Sequence, residues 1–458
     1  MWYFDISRRF YFSPNVIFFL ILPDILYLKS NYMSTEDHKH HFDTQRIHAG
    51  YHSEEHNNSV HVPIYQTAAF DLQSTERAGR LMRFEELGYT YSRMANPTLS
   101  VLEQRAAALD GAVGAIALAS GMSAVSYALL NAGEGGRVIA ATQIYGGTYD
   151  AYKRLYPTLG MQIDLLKNVN DLDEIRSLIK NDTKALFIES ISNPVNAIAD
   201  IQAIADLVHE YGIPLIVDNS IATPYLLTPF KYGADIIVYS ATKALSGHGS
   251  VIGGLILESD KFNWAAGRHP QFTQKVHAYG GRSALETFPT YPFVARIRSF
   301  YLALLGATLS PFDAYLILQG IETLSERVKK QSDTALQIAT YLSKHPKVAW
   351  VSYPALPGSK YKALTDKYLP KGAGGIFSFE LKGKEEDMNK FIESLKLFSY
   401  HPNIGDTRSL VINAARITHH ELTEDERLAI DIPPGTIRLS IGLEDVSDLI
   451  ADLEQAMQ

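Results

Sequence analysis

The chain has 458 residues, 46% apolar and 20% charged, with 42 Lys and Arg against 50 Asp and Glu, a formal charge of −8. This length and composition exclude a disordered or collagen-like chain and imply more than one domain; the acidic balance argues against a nucleic-acid binder. The absence of cysteine excludes disulfides, thiolate zinc sites, iron–sulfur clusters and cysteine nucleophiles, and it fits a reducing compartment.

Residues 1–32 are apolar and aromatic, but the uninterrupted apolar run, 16–22, is bracketed by Pro14 and Pro23. A membrane span needs about 20 apolar residues. A signal peptide needs a small-residue cleavage site, which does not follow here. An extension upstream of a working start at Met33 is the favoured reading, ahead of a membrane-associating segment or a cleaved signal. From residue 33 to 96 the chain reads as a polar, irregular arm. His38, His40 and His41 cluster in its tail, and His48, His52 and His56 share helical spacing. An irregular arm gives neither set the fixed geometry of a required metal centre, so no metal is expected.

Strand-like apolar runs follow at 115–119, 137–141, 162–166, 185–189, 214–217, 234–239 and 251–257. Helices are expected between them at 124–131 and 201–211, the second with Ile201, Ile204, Ala205 and Val208 on one face. The alternation predicts βαβ units and a largely parallel sheet. Residues 263–306 are rich in Gly, Tyr, Phe and Arg; they are too long for a plain connector, and such segments are often functional. Pro311 opens a long helix that continues over 327–344, and short strands follow at 348–353, 375–381 and 436–441. The expected division is therefore an arm at 33–96, a large domain at 97–310 and a smaller α+β domain at 311–458.

Ligands of open parallel sheets bind beyond the carboxyl ends of the strands. The polar residues that end the strands belong together: Ser120-Gly121-Met122, residues 189–193, Asp218-Asn219, and Ser240 with Thr242 and Lys243. Singly, each has an ordinary explanation. Gly121 and Met122 suit a strand–helix turn as well as a phosphate held by free backbone N–H groups. Ser240 and Thr242 suit a turn. Asp218 suits a helix cap or a buried carboxylate needing a cationic partner. Lys243 suits the surface, or a desolvated nucleophilic amine. Jointly, phosphate donors, a pyridinium partner and a Schiff-base lysine are what pyridoxal 5′-phosphate requires. Competing nucleotide motifs fail: there is no G-x-x-x-x-G-K-[ST], and Ile252 stands where Gly247-His248-Gly249 would need a third glycine.

The same residues carry a resemblance to a known family. The chain is similar to the Cys/Met-metabolism group of pyridoxal-phosphate enzymes, of fold type I, from about Thr44 onward. The signposts are Tyr91-Ser92-Arg93, Asn96-Pro97-Thr98, Ser120-Gly121-Met122, Tyr145-Gly146-Gly147, Asn193-Pro194, Val217-Asp218-Asn219, Ser240-Ala241-Thr242-Lys243 and Arg438-Leu439-Ser440. The resemblance implies an α/β fold, a mostly parallel central sheet with helices on both faces and a smaller C-terminal α+β domain. It implies that Lys243 carries the cofactor and that Asp218 pairs with the pyridinium nitrogen. Gly121, Met122, Ser240 and Thr242 would hold the phosphate. Tyr145 would stack on the ring, Asn193 would contact the ring oxygen, and Arg438 would grip the substrate carboxylate, with Asn403 also at the substrate. Tyr91 and Arg93 would reach the phosphate of a neighbouring subunit, which makes the expected assembly a tetramer of two active dimers. Tyr145 and Tyr91 are also the expected acid–base groups beside Lys243.

Within that family, Phe262-Asn263-Trp264, Tyr279-Gly280-Gly281, Gly247-His248-Gly249 and Asn403-Ile404-Gly405-Asp406 resemble the O-acetylhomoserine sulfhydrylase branch. Enzymes that handle cystathionine often carry glutamate where Pro402 stands, and methionine γ-lyases carry a reactive cysteine where Gly147 stands. Both differences favour γ-replacement on O-acetyl-L-homoserine with sulfide or methanethiol, in cytoplasmic methionine biosynthesis, over a cystathionine γ-synthase or a γ-lyase. One departure stands out: Asn413-Ala414-Ala415-Arg416 replaces a His-Pro-Ala-Ser-like run. A non-enzymatic, membrane-tethered protein on the same scaffold is disfavoured by the intact Lys243, Asp218 and Arg438.

Overall fold

The structure, a computed structural model, describes residues 40–458. The apolar segment 1–32 and the start of the arm, including His38, lie outside the described residues. The short apolar runs form a seven-stranded sheet: β1 (Gly114–Leu118), β2 (Arg137–Ala141), β3 (Gln162–Leu166), β4 (Thr183–Glu189), β5 (Leu215–Asp218), β6 (Ile236–Ser240) and β7 (Gly254–Glu258). Their order is β1-β7-β6-β5-β4-β2-β3. The strands from β6 to β3 pair in parallel, and β7 runs antiparallel to both its neighbours. Every residue of β1 and β7 is buried, as is nearly every residue of β4 and β6. Successive side chains face opposite sides of a strand, so both faces of this sheet are covered, as parallel sheets require.

A second, five-stranded sheet follows: β8 (Val348–Ser352), β9 (Ile376–Leu381), β10 (Ser399–Tyr400), β11 (Leu410–Asn413) and β12 (Ile437–Ser440), in the order β10-β11-β12-β9-β8. Helix Leu324–Leu342 packs on β8, β9 and the last helix, Val446–Ala456. Strands β10 and β11 are not foreseen by the sequence pattern. One has two residues and the other four, too few for periodicity to register.

Two expectations are corrected. The arm is not irregular throughout: it holds helices Phe42–His48 and Thr75–Met82, the second capped by Ser74, whose side chain accepts from Arg77 N. The helix expected from Pro311 is two helices, Pro311–Ile321 and Leu324–Leu342. The buried Arg327 turns back across the break. It donates to Gly320 O and, at 2.8 Å, to Ala244 O of the segment that carries Lys243. Residues 263–306 line no part of the main cavity. They form a folded cover on the edge of the sheet: Trp264 stacks with Phe293 at 4.9 Å, and helix Pro292–Arg296 packs on β1 and β7. The buried Glu258 ties the cover down by accepting from Trp264 Nε1 at 3.1 Å, Phe293 N at 3.0 Å and Val294 N at 2.9 Å.

Candidate active site

A cavity of about 260 Å³ lies where the carboxyl ends of β4, β5 and β6 face the second sheet. Its floor is the start of helix Gly121–Gly133. Ser120 caps that helix by accepting from Ser123 N at 3.0 Å, which leaves the next free N–H groups at a positive helix end suited to an anion. Gly121 is needed for close approach: a Cβ there would lie 2.6 Å from Ser240 Cβ. Met122, Ser240 and Thr242 line the same end of the cavity. The Thr242 hydroxyl accepts from Gly253 N at 3.0 Å, pinning the Lys243 segment to the entry of β7.

Asp218 ends β5 as the register partner of Glu189 on β4. Burial holds its carboxyl above the usual range, against a hydrogen bond from Ser220 N at 2.9 Å. Opposite stands Lys243, whose pKa is lowered to about 8, first by burial and then by the charge of Arg438. Its Nζ donates to Asn403 Oδ1 at 2.7 Å.

Arg438, on β12, comes from the second sheet. Its Nη1 donates to Asn193 Oδ1 at 3.0 Å and its Nη2 to Asn403 O at 2.9 Å. Its Nε is buried with no hydrogen-bond partner among the described residues. A buried guanidinium with a donor left over is incomplete, and a carboxylate ligand completes it. Tyr145 precedes helix Gly146–Arg154 and, 43% exposed as a residue, lines the cavity.

The structure thus brings together ten of the twelve site residues expected from sequence. Tyr91 and Arg93 stand apart: neither lines the cavity, and the Arg93 guanidinium sits over the Tyr91 ring at 5.1 Å. Residues the sequence reading left without a role also line it: Glu189, Ser220 and Thr418. Thr418 belongs to the segment after the unusual Asn413-Ala414-Ala415-Arg416 run. Arg416 itself turns outward to Glu385 at 2.5 Å. His419 beside it is fully buried, its Nε2 at 3.2 Å from Ile144 O and its Nδ1 at 3.0 Å from the Thr418 hydroxyl. Desolvation lowers its pKa to about 4, so it is neutral. The segment folds directly against the Tyr145 turn: a Cβ on Gly146 would overlap Thr418 O. The signal for these residues was their place after a strand, which only the pairing of the second sheet reveals.

Taken together, an anion seat made of backbone N–H groups, a buried carboxylate, a buried amine of lowered pKa and an arginine with an unmatched donor fit pyridoxal 5′-phosphate and an amino-acid substrate.

Comparison with known proteins agrees. The model of the family described as Cys/Met metabolism PLP-dependent enzymes, PLP being pyridoxal 5′-phosphate, matches residues 43–458. The O-acetyl-L-homoserine sulfhydrylase of Leptospira meyeri is 41% identical, over 91% of this chain and 96% of its own. The homocysteine synthase of Schizosaccharomyces pombe is 40% identical, over 91% of this chain and 98% of its own. Among solved structures, a Campylobacter jejuni protein assigned as an O-acetylhomoserine (thiol)-lyase carries a pyridoxyl-lysine monophosphate. It superposes with a TM-score of 0.88 at 39% identity, over 91% of this chain and all of its own. The chain therefore belongs to the Cys/Met-metabolism family of pyridoxal-phosphate-dependent enzymes.

Proposed function

We propose that this enzyme performs γ-replacement on O-acetyl-L-homoserine: sulfide, or methanethiol, takes the place of acetate and gives homocysteine, or methionine. The observation that carries the reading is the single cavity where Lys243, of lowered pKa, faces Arg438 across Asn403. The names and substrates of the relatives at about 40% identity support it.

Pyridoxal phosphate, when bound, supplies an electron sink for carbanions formed beside the substrate amine. The protein's own groups do the rest. The helix start at Gly121 and Met122, with Ser240 and Thr242, holds the phosphate. Asp218 would pair with the ring nitrogen, Tyr145 would cover the ring and Asn193 would contact the ring oxygen, all three lining the cavity. Arg438 binds the substrate α-carboxylate through its unmatched donor, and Asn403 positions both Arg438 and Lys243. Lys243 would hold the cofactor, and its amine, when free, is the group placed to take the Cα proton; burial lowers its pKa to about 8. A second proton leaves Cβ, for which Tyr145 is the nearby acid–base group. The Cγ–O bond then breaks with acetate as leaving group, the thiol sulfur gives up its proton and bonds to Cγ, and protons return to Cβ and then Cα from the same groups that removed them.

The acceptor assignment is supported by Pro402, which lines the cavity at the position where the resembling enzymes that handle cystathionine often carry glutamate. The assembly we propose is a homotetramer of two dimers. Tyr91 and Arg93 are exposed outside their own cavity, and they lie in the same chain as the exposed apolar side chains Phe300, Leu304, Leu305 and Phe312. Tyr91, delivered by the neighbouring subunit, is the further acid–base group. No described helix is long and apolar enough to cross a membrane, and we assign the enzyme to cytoplasmic methionine biosynthesis.

The test is replacement of Lys243 by alanine. The visible absorbance of the cofactor and turnover should both disappear. Full turnover in that variant contradicts the scheme.

A further inference from the structure

Glu189 has no role in the scheme above, yet it holds two of its parts. It ends β4, lines the cavity and is almost completely buried. One carboxylate oxygen accepts from Tyr145 N at 2.7 Å, and the other accepts from Asn193 N at 3.1 Å. A single side chain therefore fixes the turn that presents the ring-covering tyrosine and the loop whose amide receives Arg438. Glu189 is also the register partner of Asp218 on the adjacent parallel strand, so the two carboxyl groups leave the sheet side by side.

Two carboxylates this close in a dry site do not both ionise cheaply. Burial and then the charge of Asp218 push the Glu189 carboxyl well above its usual range, against the two N–H donors. The charged and titratable groups around the pair are few, and the buried Tyr239 of β6 is one of them, facing Asp218. Tyr152 faces it from helix Gly146–Arg154, with a buried hydroxyl that has no partner among the described residues. Lys243 and Arg438 face it across the cavity, and the neutral His419 lies behind Ile144. No described cation forms an ion pair with Glu189 or Asp218. A cation placed against the pair would relieve it, and a protonated ring nitrogen is such a group.

We propose that Glu189 is the positioning residue of the cofactor seat: its carboxyl ties the Tyr145 turn and the Asn193 loop to β4 and, standing beside Asp218, takes up negative charge when a cationic ring fills the site, which favours the protonated ring. The inference rests on the cofactor assignment above and extends it to the shell behind Asp218.

Two substitutions separate the tie from the charge. Glu189→Gln is nearly isosteric, removes the charge and can accept from only one of the two N–H groups. Glu189→Asp keeps the charge but is one methylene too short to reach both donors. Holoenzyme absorbance is titrated with pH, and pyridoxal phosphate is titrated into cofactor-free protein while fluorescence is followed. Glu189→Gln should lower the pH midpoint of the visible band by about one unit, because loss of a nearby negative charge disfavours a protonated form. It should also raise the Kd for the cofactor roughly 10-fold, the worth of a charge-assisted hydrogen bond. Glu189→Asp should raise the Kd while leaving the midpoint near that of the wild type. A wild-type midpoint and Kd in Glu189→Gln overturns the inference. If that variant does not fold, a Glu189→Asp midpoint displaced as far as its Kd overturns the separate electrostatic role. A wild-type protein with no visible band at all would instead overturn the cofactor assignment.

Discussion

Lys243 and Asn403 meet at 2.7 Å, amine to side-chain oxygen, although one leaves the seven-stranded sheet and the other precedes β11 of the second sheet. The main-chain oxygen of Asn403 simultaneously accepts from Arg438 at 2.9 Å. One residue thus spaces the amine that moves protons from the guanidinium that holds the substrate. Replacing Asn403 by alanine removes only the contact to Lys243, since the main-chain oxygen stays. An acceptor of an ammonium stabilises the charged form. The pH midpoint for cofactor reconstitution should therefore fall in Asn403→Ala, while KM for the ester changes less than about threefold. The pH dependence of the reconstitution rate, measured with KM, checks both.

The lowered pKa of Lys243 has a stability consequence in the cofactor-free protein. Folded, the amine loses its proton near pH 8; unfolded, it keeps it to about 10.5. Between those values the unfolded chain binds more protons, so stability gains from this group as pH rises through the window. Below pH 8 both states are charged and burial of the charge is a penalty. The urea midpoint of wild type minus that of Lys243→Met should become more positive from pH 8 to 10. A difference that is flat with pH contradicts it.

Arg438→Lys keeps the charge but loses the planar fork that reaches Asn193, Asn403 and a carboxylate together. KM for O-acetyl-L-homoserine should rise about 10- to 100-fold, the worth of one charge-assisted hydrogen bond. The fall in kcat should be smaller. Steady-state kinetics at fixed sulfide measures the split.

Gly147 stands where a Cβ would lie 2.6 Å from Tyr145 Cε1. Gly147→Ala must swing that ring. Because Tyr145 is exposed at the cavity mouth, the cost should appear in the visible cofactor spectrum and in kcat, lowered at least about fivefold. The Tm should stay within about 2 °C, as for a surface change. A large loss of Tm with unaltered kcat contradicts this placement.

Arg327 is a structural counterpart, buried and donating to Ala244 O and Gly320 O. Arg327→Met removes the side-chain donor of the buried Ala244 O, while Gly320 O keeps Thr323 N. It should cost about 2–4 kcal/mol in denaturant unfolding, and it should loosen the segment that carries Lys243.

Much of this was legible in the sequence because the large sheet is built from short apolar runs with polar ends. The runs at 137–141 and 162–166 become β2 and β3 residue for residue. The polar ends at Asp218 and Ser240 converge because the strands are parallel and in register. Glu189 was visible as a strand end but not as a clamp, since its partners are backbone N–H groups, which no residue type announces. Thr418 and His419 were hidden because a non-periodic segment carries them to the Tyr145 turn. The antiparallel direction of β7 was also hidden: its residues are as apolar as those of its neighbours, and direction is set by the path of the 241–253 segment, not by composition.

The most direct measurement is product analysis with the purified enzyme. O-acetyl-, O-succinyl- and O-phospho-L-homoserine are each offered with sulfide and, separately, with cysteine. The account predicts homocysteine and one equivalent of acetate from the acetyl ester and sulfide, with cystathionine from cysteine at a small fraction of that rate. Cystathionine as the main product, or a faster reaction with another ester, would contradict it.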